Sequence, residues 1–138
     1  MPRVLDPHTG GVKIPQIVQE RTRQRIEKYA KKKYGRQYTR LDVRFRGPLC
    51  YVDAYREPRI SPGWPPEDWY ETRDEMAERL RTTPVHLCRM RFFGDENHWS
   101  LAFFTYSNET YKPCVFKSGD FFGTPERAFD MGAIHLED

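Results

Sequence analysis

The sequence predicts an α+β domain. It has one antiparallel sheet of about five strands, an N-terminal helix packed on one face, a helical insertion between strands two and three, and a short C-terminal helix. Three observations carry this reading. Residues 14–30 space their apolar side chains at helical intervals, residues 40–56 and 85–116 alternate in hydropathy, and turn-forming residues separate the alternating runs.

Residues 1–13, with Pro2, Pro7, Gly10 and Gly11, read as a flexible arm, leaving 14–138 as the domain. Pro15 sits where a first-turn proline is tolerated, and the helix it opens runs to about Tyr34 and stops at Gly35. Ile14, Ile17, Val18, Thr22, Ile26, Tyr29 and Ala30 form its apolar side. Glu20, Arg23, Glu27 and Lys31 form a salt-bridge ladder opposite. Arg25 points toward the apolar side, so its stem snorkels or it pairs with a carboxylate of the sheet.

Leu41, Val43 and Phe45 share one strand face, and Arg40, Asp42, Arg44 and Arg46 the other. Gly47-Pro48 turns the chain into a second strand, about Leu49–Arg56. Its Cys50, Val52 and Ala54 face the core and its Tyr51, Asp53 and Tyr55 face outward. A turn-rich stretch follows, and Pro65-Pro66-Glu67-Asp68 resembles a helix start, predicting a helix over 66–82 with Trp69 in its apolar stripe. Strands at about 85–93, 98–106 and 110–116 come next. The one from His98 is apolar on both faces, a pattern of a central strand covered twice, by the 66–82 helix or by another subunit. The first helix is expected to pack on Leu41, Val43, Val52, Cys88, Met90 and Phe104. Thr124-Pro125-Glu126 caps a last helix that Gly132 ends, and Ala133–Leu136 reads as a final edge strand.

Charge is the most informative functional feature. Residues 21–46 hold eleven Lys and Arg against Glu27 and Asp42, although the whole chain is only +3. Such a concentration is the footprint expected for a polyanion. The expected interface comprises Lys31, Lys32, Lys33, Arg36, Arg44 and Arg46 on phosphates, with Tyr51 and Tyr55 stacking on bases. The function this implies is a non-enzymatic binding protein for DNA or RNA without strong sequence preference. The alternative is a self-association module, a homodimer in which the basic segment of one copy meets an acidic surface of the next.

Catalytic and metal chemistry have weaker signals. His86 and Cys88 stand two apart, which puts both on one face of a strand, with Cys50 or Cys114 across the sheet. Cys88 continues into the apolar Met90 and Phe92, and no Cys-x-x-Cys pair exists, so neither a metal nor another cofactor is expected. An enzyme would need His86, His98 and Asp120 to converge, and no nucleophile elbow or P-loop accompanies them. Three scattered cysteines fit reduced thiols in a cytoplasmic protein. The N-terminus lacks the apolar stretch of a secretory signal, and no apolar run is long enough to span a membrane.

Overall fold

Helix α1 (Gln16–Tyr34) leads into strands β1 (Arg40–Arg46) and β2 (Leu49–Tyr55), then α2 (Arg73–Thr82) and a run of strands. These are β3 (Val85–Phe92), β4 (Trp99–Thr105), β5 (Thr110–Cys114) and the two-residue β6 (Phe122–Gly123), before α3 (Pro125–Gly132) and a 3-10 turn at Ala133–Leu136. The computed structural model describes residues 6–137. The sheet is antiparallel throughout, in the order β1-β2-β3-β4-β5, with β6 pairing beside β5 on the edge of β4. The α+β architecture is therefore the one the sequence predicts.

The period-2 pattern sorts side chains onto two faces. Val43, Val52, Cys88, Met90 and Leu101 share one face and are buried beneath α1 and α3, with Ile14, Val18, Ile26, Ala30, Ala128 and Phe129 above them. Phe104 was expected in this core. It lies on the opposite face, opposite Tyr111, because Leu101 takes the core side of β4 and parity sends Phe104 outward. Arg25 neither snorkels nor reaches the sheet. Its guanidinium makes two hydrogen bonds to Glu126 on α3, at 2.9 and 2.7 Å, and one to the Glu96 carbonyl at 3.0 Å. Arg23 leaves the expected ladder to donate to the Val43 carbonyl and lie over Phe45.

Three local features differ from the sequence reading. Helix α2 starts at Arg73, because Thr72 and Glu75 form a capping box, each side chain bonding the other's backbone N–H. The acidic Pro66–Asp68 stretch makes only a turn, and Trp69 stays 40% exposed, packed between Trp64 and Tyr70. Residues Ala133–Leu136 form a 3-10 turn rather than an edge strand, continuing α3 without a break. Of the expected arm, residues 1–5 lie outside the described residues. Beyond them, the Gly10 carbonyl accepts from Arg91, the Val12 N–H donates to the Phe92 carbonyl and the Ile14 N–H to Gly47.

The largest departure is in β3. Val52 pairs with Cys88 but Asp53 pairs with His86, so Leu87 is an extra residue, a β-bulge. Leu87 turns fully into the core, where its backbone meets α3 at Gly132. A Cβ on Gly132 would come within 2.5 Å of the Leu87 carbonyl oxygen.

Two stability measurements follow. Ile26→Ala, at a fully buried position, should cost about 2–5 kcal/mol in chemical denaturation. Gly132→Ala would ordinarily strengthen a helix, yet it should lower stability by roughly 1–3 kcal/mol, because the α3–β3 contact has no room for a methyl group. A Gly132→Ala protein at least as stable as the parent would refute that contact.

Candidate functional site

The sheet face turned away from α1 and α3 carries the polar chemistry. β1 contributes Arg40, Asp42, Arg44 and Arg46. β2 contributes Tyr51, Asp53 and Tyr55, and β3 contributes His86, Arg89 and Arg91. Phe104 and Tyr111 come from β4 and β5. Alternation alone places them, since every second residue of a strand shares a face.

Asp53 is the centre. The carboxylate is 3% exposed, and both oxygens are engaged: Arg44 Nη2 donates to Oδ2 at 2.7 Å, and His86 Nδ1 meets Oδ1 at 2.8 Å. Arg44 also reaches Asp42 at 3.3 Å. A buried carboxylate needs such partners, because leaving one oxygen unpaired costs its full desolvation.

Aromatic rings surround this pair. His86 has Phe104 at 4.5 Å between ring centres, Tyr111 at 6.3 Å and Tyr106 at 6.4 Å, the last nearly parallel. The Tyr106 hydroxyl accepts from the His86 backbone N–H at 3.0 Å. Burial raises the Tyr106 and Tyr111 phenols above their ordinary range, with the Asp53 charge adding to it, so both stay protonated at neutral pH. Arginines lie over the rings: Arg44 over Tyr51, Arg89 over Tyr111 and Arg40 over Tyr55, at 5.4, 5.3 and 4.1 Å. Arg91 is depressed by burial and then by the neighbouring Arg89, a sign of how closely positive charge is set here.

The expected interface divides. Arg44, Arg46, Tyr51 and Tyr55 share the open face, whereas Lys31, Lys32 and Lys33 sit on α1, on the other side of the sheet, with Arg36 just beyond it. The run Lys31–Lys33 occupies the last turn of α1, where cations complement the helix dipole. Lys33 is further engaged by Asp130 at 3.0 Å and Tyr29 at 3.2 Å. The basic segment 21–46 excludes Arg89, Arg91 and His86, which strand pairing brings to the same face as Arg44 and Arg46. Alternation in β3 was the available signal, and the bulge broke it for His86.

The bulge also separates one pair of candidates. His86 and Cys88 lie on opposite faces, so they do not form a ligand pair, and no cluster of metal-ligating side chains occurs among the described residues. Cys50 and Cys88 are buried with their thiols pushed well up by burial, and the Cys114 thiol is raised to about 11. His98 and Asp120 line one depression with Phe121 and Arg127, while His86 is at the other end of the β3–β4 hairpin. Among the described residues no helix is long and apolar enough to cross a membrane. Compared with protein-family models, curated proteins and solved structures, the chain matched none, so its functional reading rests on this geometry.

Asp130 binds α1 to α3, accepting from Tyr34 at 2.6 Å, Tyr29 at 2.7 Å and Lys33. Burial works against its charge, but these hydrogen bonds outweigh it and hold the carboxyl below its usual range. A depressed carboxyl stabilises the fold above its unfolded pKa and loses that contribution as pH falls through the folded one. Asp130→Asn should therefore destabilise the protein at neutral pH by on the order of 1 kcal/mol, the cluster being partly open to water. The gap from the parent should begin to close as pH falls below about 4 and go on closing through the lower folded pKa. Parallel stability–pH curves for the two proteins would refute the assignment.

Proposed function

We propose that the open sheet face binds single-stranded nucleic acid. The observation that carries this reading is the set of arginines from β1 and β3 interleaved with tyrosine rings from β2 and β5 on one face, opposite the face that packs the core. Guanidinium groups take phosphate oxygens in pairs, and rings stack on bases whatever their identity. Arg46 and Arg89 make no ion pair among the described residues, which leaves both for phosphate. Lys31 and Lys32 take no part in this interface.

Salt and charge reversal test the proposal together. Labelled single-stranded RNA and DNA should bind tightly at low salt and weaken steeply as salt rises. Arg46→Glu should weaken binding and lower the slope of log affinity against log salt by about 0.7, one phosphate contact on a single strand. Arg89→Glu should do the same, and Lys31→Glu and Lys32→Glu should change neither quantity. Equal losses from the lysine variants would move the interface to α1, and absence of binding at low salt would end the proposal.

A further inference from the structure

His86 is oriented as a base. As a carboxylate, Asp53 only accepts hydrogen bonds, so its contact with His86 Nδ1 fixes the imidazole hydrogen there and leaves the lone pair on Nε2. Nε2 has no hydrogen-bond partner among the described residues, and 29% of the side chain remains exposed. The ring is fixed at one edge by the nearly buried Asp53 and walled by Phe104, Tyr106 and Tyr111. Arg44 on β1 shares Asp53 with it, and Arg89 on β3 lies over Tyr111, one of the rings that wall it. A held imidazole, an acceptor nitrogen open to solvent and adjacent guanidinium groups are the parts that proton abstraction beside a phosphodiester requires.

Resting on the reading of this face as a nucleic-acid interface, we propose that it also cleaves RNA, with His86 as general base on a ribose 2′-hydroxyl. His86 Nε2 takes the 2′-hydroxyl proton while the 2′-oxygen bonds to the adjacent phosphorus. The bond from phosphorus to the 5′-oxygen breaks, and the departing oxygen takes a proton from water. The products are a 2′,3′-cyclic phosphate and a 5′-hydroxyl, and the imidazolium returns its proton to solvent. No electrons are exchanged, and no metal takes part in the step. Arg89, which no carboxylate engages among the described residues, stabilises the charge that builds on the phosphoryl oxygens, while Arg44 stays on Asp53. Asp53 is a positioning residue that acts through the His86 tautomer. DNA lacks the attacking hydroxyl, so it binds and remains whole.

The test uses the full chain in excess EDTA with one mixed-sequence single strand made three ways, as RNA, 2′-O-methyl RNA and DNA. The RNA should be cut to fragments ending in cyclic phosphate, while the other two strands bind and stay intact. His86→Gln should slow cleavage by about 100-fold or more, the loss of a general base, and keep its affinity for the 2′-O-methyl strand, which also shows that it is folded. Asp53→Asn should lower kcat with KM little changed, which a merely structural defect would not produce. RNA that binds but stays intact would overturn the inference and leave the binding proposal standing. Cleavage undiminished in His86→Gln would overturn it as well. If none of the three strands binds and the RNA is not cut, the binding proposal itself fails and takes the inference with it.

Discussion

The extra residue in β3 determines how the two sides of the sheet relate. Without Leu87 as a bulge, strict alternation would put His86 beside Cys88 in the core, where its ring would lack a polar partner. With it, Leu87 and Cys88 both enter the core and His86 crosses to meet Asp53. The same residue seats α3, since its carbonyl lies where any side chain at Gly132 would go. Core packing and the polar centre of the open face thus share one insertion. Moving the register by one residue would bury an imidazole and leave the Asp53 carboxylate with one partner fewer.

The basic segment serves two physical purposes that charge counting cannot separate. Arg21 reaches Glu96, Arg25 reaches Glu126 and Lys33 reaches Asp130, joining α1 to the β3–β4 turn and to α3. Pairs this exposed contribute little energy each, typically below about 1 kcal/mol, but they fix how the helix sits. On the other side of the sheet, Arg40, Arg46 and Arg89 lack ion pairs among the described residues and lie over rings or in solvent. Part of the apparent footprint is therefore architecture.

What the sequence made legible follows the range of each interaction. Alternation in β1 and β2 and the Thr124-Pro125 cap are local signals, and each marks the element found. The start of α2 was misplaced because acidic residues after prolines imitate a first turn, while the deciding reciprocal bonds of Thr72 and Glu75 depend on geometry three residues apart. The site was half legible. Arg44, Arg46, Tyr51 and Tyr55 follow from period two, but His86 depends on a bulge whose cause is the fit of Leu87 against Gly132 of α3, 45 residues further along the chain and invisible to any local window.

The composition of the open face also bears on what meets it. Two copies joined through this face by a twofold axis would set arginines against arginines, since each copy brings Arg40, Arg44, Arg46, Arg89 and Arg91 against only Asp42 and Asp53. Asp53 is moreover buried and spent on its own partners, so it offers no compensation across such an interface. A head-to-tail contact with the acidic insertion at 57–82 escapes that repulsion, but it uses unlike surfaces and closes only if its rotation generates a ring. A flexible anionic strand has neither difficulty. In the proposed complex its phosphates would meet the unpaired arginines along β1 and β3, and its bases the rings that arginines already overlie, so little ordering would remain to be done on binding.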